Sequence, residues 1–127
     1  MTSATTRRDL QQSLLEGIAL QSRQVIAVIE RAANIGNVLS VDGGLSASDY
    51  FLQFFSDVTN KIIRRAGSTE LTAYGCASLA AHPIIPVSGM TQDTYYHPSI
   101  NEREVASRVD RYEMAMQAAI ELGGRTM

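Results

Sequence analysis

One local pattern in the 127 residues points to a ligand: Asp42-Gly43-Gly44. It sits just past Val38-Leu39-Ser40-Val41, a short, apolar and β-prone run, and just before a segment that reads as a helix. In open α/β sheets ligands collect outside the carboxyl ends of strands. Glycines carry no side chain, so a ligand can approach the backbone amides closely, and a helix N-terminus favours negative charge. The chemistry this suits is the cradling of a phosphate or nucleotide. A bare strand–Asp-Gly-Gly–helix is nevertheless more often a tight turn, and the motif alone leaves both readings open.

The other polar candidates say less. His82 and His97 are far apart, lack metal-ligand spacing and read as loop histidines. Tyr95-Tyr96 reads as loop packing more than as a stacking surface. There is no Gly-rich loop ending in Gly-Lys-Ser/Thr, no G-x-S-x-G and no obvious Ser/His/Asp set. Cys76 is the single cysteine, which excludes an internal disulfide and a multi-cysteine zinc site. Within the small, apolar run Ala73–Ala81 it reads as a buried structural thiol.

Charge narrows the partners. The net charge is −2 and the basic residues are scattered, so nothing suggests nucleic acid. The pairs Arg7-Arg8 and Arg64-Arg65 read as solvated element ends. No apolar run approaches the ~20 residues of a membrane span, and the N-terminus lacks the apolar core of a signal peptide. A reducing cytoplasm fits these features. The length suits one domain.

The elements that must position the motif follow from periodicity. Leu10, Leu14, Ile18, Val25 and Ile29 recur at helical spacing, opened by a Thr6…Asp9 capping box and closed by Asn34, Gly36 and Asn37. After the strand at 38–41, Ser46 with Asp49 reads as a second capping box, opening a helix that carries Phe51, Leu52, Phe54, Phe55 and Val58. Lys61-Ile62-Ile63-Arg64 is a second strand, and a helix between two strands implies a parallel pair with a right-handed crossover. Glu70 to about Ala81 reads as a helix of small residues, suited to burial against a neighbouring backbone. Residues 83–98 read as a loop. The last helix, about 100–122, opens at Ser99…Glu102 and ends at Gly123-Gly124. Val105, Val109, Met114, Ala115, Ala118 and Ile120 fall mostly on one side of it.

Taken together, these segments resemble the FGGY-family carbohydrate kinases. Thr5-Thr6-Arg7 with Leu15-Glu16-Gly17-Ile18-Ala19 and Gln21 is similar to the helix that opens T-T-R and carries L-E-G-I-A-x-Q. Val41-Asp42-Gly43-Gly44 followed by Gln53-Phe54 and Asp57 is similar to the V-D-G-G…Q-F…D block. Arg65, Glu70, Thr72-Ala73 and Gly75 match the R-P…E-x-T-A-x-G-A-A block. Order and spacing agree over roughly residues 1–81, the last helix fits more loosely, and the blocks look most like glycerol kinases. Departures are Ser48 where an Asn is usual, Ala66 for Pro, Ala4 for Gly and Cys76 for Ala.

The resemblance implies an α/β fold. It would be part of a ribonuclease-H/actin-like ATPase domain, helix-rich with a short parallel β-α-β unit. Residues 1–127 would form the C-terminal portion of the ATP-binding domain, with the N-terminal domain absent. It would place Gly43 and Gly44 against ATP or ADP and Ser48 near the adenosine. Glu70 and Thr72 would cap and position the helix beneath that loop. Mg2+ would be bound mainly by the missing portion. The family's phosphate loop, aspartate base and sugar pocket lie upstream, and Met1 falls inside the motif L-T-x-G-T-T-R, which suggests a beginning cut away. The expected partners are ATP or ADP, and either the remainder of the kinase or further copies of the chain. The rival reading is a non-catalytic, stand-alone nucleotide-binding or interaction module.

Overall fold

The computed structural model describes residues 2, 4–68, 70–81 and 92–124. Helix α1 runs from Arg7 to Ala32 and starts as its sequence predicts. Thr6 accepts a hydrogen bond from the Asp9 amide, and the Asp9 carboxylate accepts one from the Thr6 amide at 2.8 Å. Strand β1 is Val38–Val41, helix α2 is Asp49–Thr59 and strand β2 is Ile62–Arg65. Helix α3 is Leu71–Ala80, strand β3 is Thr94–Tyr96 and helix α4 is Glu102–Gly124.

The sheet order is β1-β2-β3. β1 and β2 are parallel, with Val38 opposite Ile62 and Val41 opposite Arg65, as the crossover helix requires. β3 lies antiparallel to β2, with Tyr96 opposite Ile63, inside the stretch that reads as a loop in sequence. Three residues are too few for a periodic signal, and β3 exists because β2 offers it an edge.

α2 is the hub. Phe51, Leu52, Phe54, Phe55 and Val58 are buried, against Ala19 and Leu20 of α1, Ile63 of β2 and Val109 of α4. Polar side chains close the remaining seams. The Glu16 carboxylate accepts from the Tyr50 hydroxyl and lies 3.6 Å from Arg108, whose guanidinium sits over Phe54. Burial, reinforced by Glu16, pushes the Tyr50 hydroxyl up to about 12. Asp57, itself buried, accepts from the Ser99 amide at 2.7 Å and from Gln53 at 3.2 Å, tying α2 to the segment between β3 and α4.

Two expectations of burial fail. No residue of α3 is buried, and Leu79 is 74% exposed. Cys76 on this helix is exposed, not a buried thiol. Small residues permit close packing but do not supply a partner, and the core is filled from α1, α2, β2 and α4 instead. On α4, Val109 is buried, whereas Met114 and Ile120 are 73% and 59% exposed.

Candidate functional site

The Asp42-Gly43-Gly44 turn leaves the carboxyl end of β1 and runs into a single 3-10 turn, Gly44–Ala47. Gly43 has φ 88° and ψ −178°, backbone that only glycine adopts readily. Its carbonyl accepts from the Ser46 amide at 3.0 Å and from the Ser46 hydroxyl at 2.7 Å, which buries Ser46 and folds the turn back on itself. A Cβ built on Gly43 or Gly44 would meet nothing within 4 Å. The outer side of the turn is open, and the first amides of a helical turn have no intrahelical acceptor.

The helix start differs from the sequence expectation. Ser46 belongs to the 3-10 turn, and Ser48 is the N-cap of α2, accepting from the Phe51 amide at 3.2 Å. The competing principle is the turn itself: Ser46 satisfies Gly43 before it can cap anything. Ser48 is half-buried and engaged in the cap, four residues beyond Gly44.

Arg65 fixes the turn from below. At the end of β2 its guanidinium donates to the Ser46 carbonyl at 3.2 Å and to Asp49 at 2.8 Å, and it lies over the Tyr96 ring at 5.5 Å. The Tyr96 hydroxyl donates to the same Asp49 oxygen. That bond, with Arg65 beside it, holds the Asp49 carboxyl below the ordinary carboxylate value. Burial and the Asp49 carboxylate raise the Tyr96 hydroxyl. Arg64 is also engaged, with Asp93 at 2.7 Å, so Arg64-Arg65 is not a solvated element end. The sequence signal for this clamp was present: Arg65 belongs to the block that resembles the family, but its partners come from α2 and β3.

A cleft of about 550 Å³ opens beside the turn, at the carboxyl ends of β1 and β2, where ligands collect in such sheets. Asp42, Arg64, Asp93, Leu71 and Tyr74 line it. Gly43, Gly44 and Ser48 do not, so the turn borders the cleft through Asp42 alone. Glu70 is the N-cap residue of α3, but its side chain makes no capping hydrogen bond, against the expectation for it. Thr72 is exposed within the helix. His97 is exposed and contributes its carbonyl, which accepts from Gln53 at 2.8 Å, while His82 lies outside the described residues. Tyr95 is exposed.

Comparison with known proteins gives one answer. The model of the FGGY family of carbohydrate kinases, C-terminal domain, matches residues 1–84. The glycerol kinase of Lactococcus lactis subsp. lactis (strain IL1403) is 42% identical over 81 residues, covering 63% of this chain and 16% of that protein. The glycerol kinase of Alkalilimnicola ehrlichii is 33% identical over 124 residues, covering 94% of this chain and 25% of that protein. A crystal structure of Plasmodium falciparum glycerol kinase with ADP matches with a TM-score of 0.75 and 25% identity, over 93% of this chain and 25% of that one. The chain thus spans 16–25% of the length of these relatives. Its helix-rich, three-stranded architecture is a portion of the actin-like ATPase fold.

Proposed function

Because the chain belongs to the FGGY family of carbohydrate kinases, we propose that it supplies one wall of the nucleotide site of an ATP-dependent glycerol kinase-like enzyme. In this reading residues 1–127 are the C-terminal portion of the ATP-binding domain, and the complete enzyme transfers phosphate from ATP to a polyol or sugar hydroxyl. The observation that carries it is the Gly43-Gly44 turn. It is open on its outer face, held at the end of a parallel strand, and clamped from behind by Arg65. Gly43 and Gly44 then let the phosphates lie against backbone amides, and Ser48 stands toward the adenosine. The ADP named with the Plasmodium falciparum relative supports a nucleotide as the ligand.

Phosphoryl transfer is mostly positioning and charge stabilisation. This chain's share is positioning. Arg65 keeps the turn at a fixed height over β2, and Gln53, Asp57 and Ser99 hold α2, which carries the turn's far end. Among the described residues no group of three or more His, Cys, Asp or Glu side chains is placed to hold a metal ion. We assign Mg2+ mainly to the remainder of the enzyme, where it would neutralise phosphate charge. The same holds for the acceptor site and the base that serves it. On its own the chain is expected to bind nucleotide weakly and to turn over no substrate, acting with the remainder of the kinase in the cytoplasm.

The test is an amide chemical-shift titration of the 127-residue chain with ADP, alongside a coupled ADP-release assay with ATP and glycerol. Saturable shifts at Gly43, Gly44 and Leu45, absent with inorganic phosphate alone, are expected. Shifts confined to another face, or none up to about 10 mM ADP, would remove the reading, since a site with a free energy near −3 kcal/mol would still register there. Turnover near ~1–100 s⁻¹ by this chain would show that it carries the whole catalytic apparatus.

A further inference from the structure

A second pocket, of about 290 Å³, lies between α1, the carboxyl end of α2 and the first half of α4. Its charged lining is unbalanced. Asp57, Glu102 and Asp110 present three carboxylates against the single guanidinium of Arg23, a net charge of −2. Val105 and Val109 supply an apolar wall. Among the described residues none of the three carboxylates is in an ion pair, with Arg23 or with any other cation. Arg23 instead donates through Nε to the Val58 carbonyl at 2.9 Å, which fixes it as part of the wall. Asp57 is only 7% exposed, yet only half of its carboxylate is used. Oδ1 accepts from Gln53, the Ser99 amide and the Ser99 hydroxyl, whereas Oδ2 accepts from nothing among the described residues. No buried side-chain oxygen among them lacks a partner, so Oδ2 is not sealed in and opens where Asp57 lines the pocket. The carboxyl end of α2 carries the negative end of its helix dipole there, and the last turn has no basic residue to meet it. A buried carboxylate with a free oxygen in so negative a setting is relieved by a cation.

We infer that this pocket binds a short aliphatic diammonium ion. Among the described residues no three such side chains converge closely enough to hold a metal ion, so a point cation cannot meet all the charge at once. A longer cation can. Glu102 and Asp110 are eight positions apart on α4, about 12 Å along its axis. Allowing a hydrogen bond of about 2.9 Å at each end leaves about 6 Å between two nitrogens, the reach of a four-carbon chain. Its methylenes then lie along Val105 and Val109, and Asp57 faces it from α2. Two ammonium charges match the net charge of the lining, whereas a single lysine or arginine side chain brought by another polypeptide would offset half of it. The pocket shares no lining residue with the cleft beside the nucleotide turn, so this inference and the proposed function fail separately.

An amide chemical-shift titration of the 127-residue chain with 1,4-diaminobutane tests it, at constant ionic strength because screening alone would otherwise move the shifts. Saturable shifts at Asp57, Val105 and Val109 are expected, with a dissociation constant of about 1 mM or tighter. Butylamine, with one charge, and 1,4-butanediol, with none, should bind at least about fivefold more weakly. Asp110→Asn and Glu102→Gln replace exposed side chains and leave the far-UV circular dichroism unchanged, and each weakens diamine binding about threefold or more. Glu113→Gln, on the same helix but outside the pocket, leaves binding unchanged. The absence of saturable shifts up to about 20 mM diamine overturns the inference. So does butylamine binding as tightly as the diamine, which would make the pocket a seat for one basic side chain of a neighbouring polypeptide. An equal response to Mg2+, or an equal loss in all three variants, shows only general attraction to acidic surface and overturns it as well.

Discussion

Replacing Gly43 by alanine isolates backbone strain from every other effect. At φ 88° and ψ −178° the residue occupies a region essentially closed to side chains. The added methyl would meet nothing within 4 Å, so no packing clash contributes. Strain of this kind costs about 1–3 kcal/mol. Gly44 is the matched control: its φ is not positive and its Cβ position is equally open. Gly44→Ala therefore acts mainly through the unfolded chain and changes stability by less than about 1 kcal/mol. For a chain of this size each kcal/mol moves the thermal midpoint by about 3–5 °C, so Gly43→Ala lowers it by about 3–15 °C while Gly44→Ala raises it by less than about 5 °C. Thermal and urea melts followed by circular dichroism read both variants. Equal midpoints for the two would refute the assignment of the strained position. Nucleotide response should divide the other way: Gly44→Val fills the space a ligand needs, and lowers ADP affinity more than it lowers the midpoint.

Asp57→Ala deprives the Ser99 amide and hydroxyl and Gln53 of their shared acceptor, and is expected to cost about 2–4 kcal/mol in a urea melt, with Asp57→Asn recovering part of it. The Asp49 carboxyl, held low first by the Tyr96 hydroxyl and then by Arg65, contributes stability that is complete above its ordinary value of 3.8 and is lost as pH falls through its folded value. Tyr96→Phe should flatten the acid limb of a stability–pH curve, and an unchanged limb would show that the pair is immaterial. At the alkaline end the sign reverses for Tyr50, whose contribution is complete below 10 and is lost as pH rises through about 12. Tyr50→Phe should remove that loss.

What the sequence determined by itself is local. The Thr6…Asp9 capping box needs only a spacing of three positions and no tertiary contact, and it forms as read. The Asp-Gly-Gly turn is legible because glycine readily takes positive φ, as Gly43 does, at little steric cost. The apolar run of α2 marks the hub because so many adjacent apolar residues can be sheltered only at the centre of the fold. The order strand, helix, strand was enough to give a parallel pair. The family blocks were legible as text, although Gln53 and Asp57 turn out to be clamps on Ser99 and not groups facing the cleft.

Only the tertiary structure decided the rest. β3 required β2's free edge, which no local pattern of three residues announces. The choice of Ser48 over Ser46 as helix cap depended on the Gly43 carbonyl capturing Ser46 first. Arg65 became the clamp of the turn because α2 and β3 bring Asp49 and Tyr96 to it across gaps of 16 and 31 positions in the chain. The exposure of α3 and Cys76 followed from which elements reached the core. Burial is a property of pairs of elements, so a sequence read one segment at a time shows which faces are able to be covered and not which ones are.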